Sequence, residues 1–66
     1  MEITVNGQTI KLDEPLTIAQ LLQRFGIEPV RVAVEKNRDI VPRKTYAQAA
    51  ISPGDAIEIV TFVGGG

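Results

Sequence analysis

The residues of this chain best suited to chemistry are its last three, Gly64, Gly65 and Gly66, which follow a β-branched, strand-like run ending at Val63. Glycine has no Cβ, so such a segment bends or lies extended without steric penalty and can enter a narrow slot. Fully extended, three residues reach roughly 10 Å. The pattern predicts a flexible tail that presents the Gly66 α-carboxylate to an active site on another protein. Taken alone, the glycines also fit a frayed terminus or a linker stub.

The composition removes most other routes to catalysis. The 66 residues include no cysteine and no histidine, so thiolate chemistry, disulfides and the commonest general base are missing. No Gly-x-x-x-x-Gly-Lys-[Ser/Thr] phosphate loop occurs. Asp13 and Glu14 are adjacent, but Pro15 and a predicted helix start follow, so helix-entry electrostatics explains them better than acid–base catalysis. We therefore expect no metal site and no intrinsic cofactor in this chain.

Length and charge restrict the class of protein further. A chain of 66 residues forms one domain that buries about 60% of its unfolded surface. Seven basic residues are scattered among eight acidic ones, for a net charge of −1, which gives no electrostatic support for nucleic-acid binding. No apolar run is long enough to span a bilayer, and the start of the chain has no signal-peptide pattern. We expect a cytoplasmic protein that binds neither nucleic acid nor membrane.

The first third of the chain predicts a β-hairpin followed by a helix. Apolar residues alternate on both sides of Asn6-Gly7, a two-residue hairpin turn. Helical spacing then begins after Thr17, which can cap the helix together with Gln20, and Leu16 can pack against the first turns. Gly26 is expected to end the helix.

The remainder predicts three more strands. The third runs through Val30, Val32 and Val34, and a turn at 37–39 leads to a short strand that Pro42 restricts to the sheet edge. Residues 44–50 are ambiguous, with a short helical turn around Tyr46 as one interpretation. A type II turn at 52–55 then starts the last strand, 56–62.

The order of elements predicts an α+β fold, a β-grasp domain of the ubiquitin type, in which a mixed sheet carries one main helix. We place this domain at 1–63 and a flexible reactive tail at 64–66. The periodicities predict a core formed by apolar side chains of the sheet and the helix: Ile3, Val5, Ile10, Leu12, Ile18, Leu21, Leu22, Phe25, Val32, Val34, Ile57 and Ile59.

Several segments, spread over the length of the chain, together carry a resemblance to a known family: Val34-Glu35-Lys36-Asn37, Ile40-Val41-Pro42-Arg43, Tyr46, Pro53-Gly54-Asp55 and Ile57-Glu58-Ile59-Val60. With them, the whole chain resembles the ThiS family, the sulfur carriers of thiamine biosynthesis. The terminal Gly-Gly is shared with the molybdopterin synthase small subunit and with ubiquitin-like modifiers, so it indicates the superfamily only. Tyr46 stands where relatives often have tryptophan or another aromatic residue.

The resemblance implies a protein co-substrate rather than an enzyme. An E1-like adenylyltransferase, similar to ThiF, would activate the Gly66 carboxylate with its own ATP and magnesium, and sulfur would then convert it to a thiocarboxylate. Gly65 would let the tail enter the active site. A thiazole synthase similar to ThiG would receive the sulfur. A molybdopterin-type carrier, a ubiquitin-like modifier and a non-reactive β-grasp interaction module remain alternatives.

Docking requires a surface as well as a tail. Because side chains alternate along a strand, Ile57 and Ile59 on the core side predict that Val60 and Phe62 face outward. Two large apolar residues on the outer face predict a partner-binding patch, which Val63 and Gly64 continue toward the reactive end. The alternatives are that Phe62 folds over the sheet edge or that a bulge exchanges the two faces.

Overall fold

A computed structural model describes residues 1–62 as a five-stranded mixed sheet with one α-helix packed on it. The strand order is β2-β1-β5-β3-β4; β1 and β5 are parallel, and the other neighbouring pairs are antiparallel. This confirms the predicted α+β, β-grasp architecture. The boundary predicted between 63 and 64 lies outside the described residues. The elements are β1 (Glu2–Val5), β2 (Gln8–Lys11), α1 (Ile18–Arg24), β3 (Val32–Lys36), β4 (Asp39–Ile40) and β5 (Ala56–Thr61), with 3-10 turns at Pro29–Arg31 and Arg43–Thr45.

Two tight turns with left-handed backbone set the hairpin registers. Asn6 and Gly7, at φ 51° and 82°, join β1 to β2 and pair Val5 with Gln8. Positive φ at both central residues matches the right-handed twist of the strands, which is why Asn-Gly favours this turn. The β3–β4 turn also has positive φ at both central positions, although the second is an arginine. Both turns were predicted from their sequences.

Helix α1 begins and ends as its sequence predicts. Thr17 Oγ1 accepts a hydrogen bond from the Gln20 amide at 3.2 Å, and Gln20 Oε1 accepts one from the Thr17 amide at 2.9 Å. This reciprocal capping box satisfies two amides that the first turn leaves without helical partners. At the other end Gly26 takes φ 70°, and the Ile27 amide donates to the Leu22 carbonyl at 2.9 Å. That bond is typical of a Schellman motif, which needs a residue with positive φ just after the helix. Gly26 adopts this φ without steric strain, so α1 ends there.

The core lies between α1 and the sheet. Most of the predicted residues are buried, whereas Ile10 and Ile59 are only partly buried against the core. Tyr46 and Ile51 are buried as well, although the irregular segment that carries them predicted no core positions. The buried set is Ile3, Val5, Leu12, Leu16, Ile18, Leu21, Leu22, Val32, Val34, Tyr46, Ile51 and Ile57.

Two apolar residues differ from the predictions. Phe25 was expected in the core but is 40% exposed, because it is the C-cap residue of α1 and the chain turns away there. Ile27, just after the turn, packs partly buried against the core. Val30 was expected in the third strand but lies in the 3-10 turn that Pro29 starts, so β3 begins two residues later.

Candidate functional site

Strand β5 lies in the middle of the sheet and leads to the predicted reactive end. It pairs with β3 from the Lys36–Ile57 pair to the Val32–Thr61 pair. The Phe62 amide continues this ladder by donating to the Arg31 carbonyl at 2.9 Å. β5 is therefore held on its β3 side up to the last described residue.

The outer face of β5 carries the two apolar residues that the alternation predicts. Val60 is 59% exposed and Phe62 is 51% exposed, while Ile57 is buried on the opposite face. Ala33 lies beside Val60 on the neighbouring strand. We call Ala33, Val60 and Phe62 the open-face patch. The predicted outward orientation of Val60 and Phe62 is confirmed, whereas their contact with a partner stays a prediction.

An acidic row borders the open-face patch. Glu35 and Glu58 are register partners on β3 and β5, so their side chains lie on the same face. They are two positions along each strand from Ala33 and Val60, which share that face. In the described part of the chain neither carboxylate forms an ion pair. Two like charges directly opposite each other on a sheet disfavour folding. A surface that combines apolar side chains with unpaired carboxylates suits a partner that has apolar and basic groups.

A polar network around the buried Asp55 anchors the start of β5. The Asp55 carboxylate accepts hydrogen bonds from the Ser52 amide at 2.8 Å and from Asn37 Nδ2 at 3.0 Å. Asn37 Oδ1 in turn accepts from the Ala56 amide at 2.9 Å. Gly54 has φ 83° in the predicted type II turn, which is confirmed. The sequence indicated these residues only as turn formers, because nothing local shows that one turn bonds to the other.

The described residues contain little that could hold a ligand. Residues 1–62 include no group of three acidic, histidine or cysteine side chains that could bind a metal ion. A groove of about 410 Å³, lined mainly by apolar groups including Ala19, Ile27 and Pro29, lies beside the end of α1. That end of α1 belongs to the helix side of the sheet, opposite the open-face patch. Over the same residues, no helix has the length and apolar character needed to cross a membrane.

The remaining predicted site residues are Val63, Gly64, Gly65 and Gly66. They lie outside the described residues, so their roles stay predictions. The described structure shows strand β5, which precedes these residues in the sequence, and the surface beside that strand.

Taken together, a mixed sheet crossed by one helix, with the last strand in its centre and an open apolar face, define a β-grasp domain of the ubiquitin type. Three comparisons with known proteins agree with this class. The ThiS family model matches residues 1–66. The sulfur carrier protein ThiS of Bacillus subtilis is 37% identical over 65 residues, which are 97% of this chain and 98% of that protein. The crystal structure of the thiamine biosynthesis protein (ThiS) from Geobacter metallireducens superposes with a TM-score of 0.86, at 33% identity and over 100% of both chains.

This chain belongs to the ThiS family, as its sequence motifs predicted. It is also 42% identical over 66 residues to a thiazole synthase of Paramagnetospirillum magneticum, covering 100% of this chain and 20% of that protein. A thiazole synthase of Magnetococcus marinus is 39% identical, with the same coverage. The chain thus spans about a fifth of the length of these two relatives.

Proposed function

We propose that this chain is a sulfur carrier whose reactive group is the α-carboxylate of Gly66. Its membership of the ThiS family is the observation that carries the proposal. The described structure supports it in a second way, because the central strand β5 leads toward the glycines with an exposed apolar patch beside it. The chain would then be a co-substrate on which other proteins act.

The chemistry explains why glycines suit this end of the chain. A carboxylate is a poor electrophile until one oxygen becomes part of a good leaving group. In the proposed first step the carboxylate attacks the α-phosphorus of ATP and releases pyrophosphate, which gives an acyl adenylate. Hydrosulfide then attacks the acyl carbon and displaces AMP, and the products are the thiocarboxylate, AMP and a proton. Side chains at 65 and 66 would obstruct the approach of the carboxylate to the nucleotide.

The proposed partners are an E1-like adenylyltransferase and a thiazole synthase. The first would supply the ATP and magnesium site, and ATP consumption suits a cytoplasmic reaction. The second is supported by the similarity to the two thiazole synthases, in which a segment like this chain is part of the same polypeptide. The thiocarboxylate is a better nucleophile than the carboxylate and would hand its sulfur to a thiazole precursor on that enzyme.

Activation can be tested by ATP–pyrophosphate exchange with an E1-like enzyme and three tail variants. A chain ending at Gly65 retracts the reactive carbon by roughly 3.3–3.6 Å, whereas a misplacement of about 1 Å can already cost a hundredfold in rate. We expect that chain to be inactive. Gly65→Val should also block exchange by placing a β-branched side chain in the slot, and Gly65→Ala should be less impaired.

Circular dichroism provides the control, because the three variants should fold like the wild type. Exchange with the chain ending at Gly65 at the wild-type rate would refute the role of Gly66. A folded wild-type chain that supports no exchange with any cognate E1-like enzyme would favour the alternative of a non-reactive interaction module.

A further inference from the structure

The side chain of Asn6 makes contacts that its place in a turn does not require. The turn needs a residue that tolerates positive φ, and glycine would serve equally well. The Asn6 carboxamide instead reaches β5, where Oδ1 accepts from the Ile59 amide at 2.8 Å and Nδ2 donates to the Ile59 carbonyl at 3.2 Å. The Asn6 main-chain amide also donates to the Ile57 carbonyl at 2.8 Å. Asn6 and Ile59 are 53 positions apart in the sequence.

The carboxamide takes the place of a strand residue. The parallel ladder between β1 and β5 ends at the Val5–Ile57 pair, because β1 turns into the hairpin there while β5 continues to Thr61. A primary amide has a carbonyl acceptor and N–H donors, as a peptide group does. Asn6 therefore supplies one more rung to the ladder after β1 itself has left the sheet.

This rung lies close to the functional end of β5. Ile59 is one residue before Val60 and three before Phe62, both in the open-face patch. On its other side this part of β5 is held by β3. Without the Asn6 carboxamide, β5 would be bonded on one side only from Ile59 onward, and backbone held in that way opens more readily. The contact from the first hairpin thus lies three residues before Phe62.

We propose that Asn6 is a positioning residue that fixes the direction of β5 and thereby the delivery of the Gly66 carboxylate to the activating enzyme. This role in delivery rests on the proposed function, whereas the effect of Asn6 on β5 does not. In the activating enzyme the tail would lie extended in a narrow slot, with no slack to compensate for a rotation of β5 at its root. Such a rotation would displace the reactive carbon and lower the rate of the chemical step. It need not weaken docking.

Asn37 offers a matched control within the same chain. It also occupies a tight turn with left-handed backbone, at φ 53°, and its carboxamide also bonds to the β5 main chain. Its bond is to the Ala56 amide, at the start of the strand, and a second one joins it to Asp55. Asn6→Gly and Asn37→Gly therefore each remove carboxamide contacts with β5, one at Ile59 in its second half and the other at Ala56 where it starts, and glycine preserves both turns.

The test measures two quantities for the 66-residue chain and its variants. The first is the rate of amide hydrogen exchange along β5, measured by NMR. These rates are compared with those of the slowest amides in the chain, which exchange only on global unfolding. We expect Asn6→Gly to speed hydrogen exchange at Ile59 about tenfold, and Asn37→Gly to leave hydrogen exchange at Ile59 unchanged.

In ATP–pyrophosphate exchange, Asn6→Gly should lower kcat about tenfold or more with KM within about twofold. Asn37→Gly should leave kcat within about twofold. Asn6→Asp, which keeps the acceptor and loses the donor, should fall between Asn6→Gly and wild type.

Two results would overturn the proposal. One is an Asn6→Gly chain whose Ile59 exchange or kcat equals that of the wild type. The other is an equal loss of kcat in Asn6→Gly and Asn37→Gly, which would mean that both act only through overall stability. If the wild-type chain itself is not activated, the proposed function fails. In that case, unchanged hydrogen exchange at Ile59 in Asn6→Gly would also refute the effect of Asn6 on β5. Faster exchange at Ile59 would uphold the effect on β5 without the role in delivery.

Discussion

Phe62 offers a sharp test of the open-face patch, because the chain contains a matched residue on the other side of the sheet. Phe62 is 51% exposed beside the predicted tail, and Phe25 is 40% exposed at the end of α1. Each can be replaced by alanine with a similar loss of apolar surface. The two variants should have similar stability, so a difference in partner binding reports the location of the side chain.

The expected magnitude follows from the exposed fraction. Complete burial of a phenylalanine side chain stabilises by about 1.5–3 kcal/mol, and about half of Phe62 remains to be buried when a partner docks. The alanine variant also leaves a gap in the partner's contact surface, and anchoring aromatic residues cost about 2 kcal/mol or more when truncated. We expect Phe62→Ala to lose about 1–2 kcal/mol of binding free energy, a rise in Kd of about 5- to 30-fold.

Isothermal titration calorimetry with the activating enzyme, and separately with the thiazole synthase, measures this loss. Phe25→Ala should bind both partners as the wild type does. The reasoning would be refuted by a folded Phe62→Ala variant with unchanged affinity for both partners. An equal loss of affinity in Phe25→Ala would also contradict it, since the effect would then not depend on the open face.

Two further predictions concern the stability of the free domain. Leu21 is 1% exposed in the core, so Leu21→Ala should destabilise the chain by about 2–5 kcal/mol; a loss below about 1 kcal/mol in urea unfolding would show that the site is not tightly packed. Glu58→Gln should instead stabilise the chain by about 0.2–1 kcal/mol, because it removes the repulsion from Glu35 across the β3–β5 pair. That gain should shrink in high salt, and a destabilised Glu58→Gln variant would argue against the repulsion.

The features predicted correctly from the sequence depend on short-range rules. The Asn6-Gly7 turn, the capping box at Thr17 and the end of α1 at Gly26 each follow from a few neighbouring residues and their backbone preferences. The outward orientation of Val60 and Phe62 follows from strand alternation in the same way.

The features that could not be predicted depend on distant parts of the chain. Whether Phe25 is buried depends on the direction of the chain after α1, which helical spacing does not contain. Tyr46 and Ile51 reach the core from a segment that has no periodicity. The contacts of Asn6 and Asn37 with β5 join turns to a strand far away in sequence, so each residue seemed explained by its turn alone.

The most direct test of the central claim is the intact mass of the 66-residue chain after incubation with its E1-like enzyme, ATP and a sulfur donor. We expect a mass increase equal to one oxygen exchanged for sulfur, which fragmentation locates on Gly66. We expect no such increase for a chain that ends at Gly65. An unchanged mass for the folded wild-type chain under conditions in which the enzyme is active, or a sulfur atom located anywhere other than Gly66, would contradict the claim that this chain carries sulfur on its terminal carboxylate.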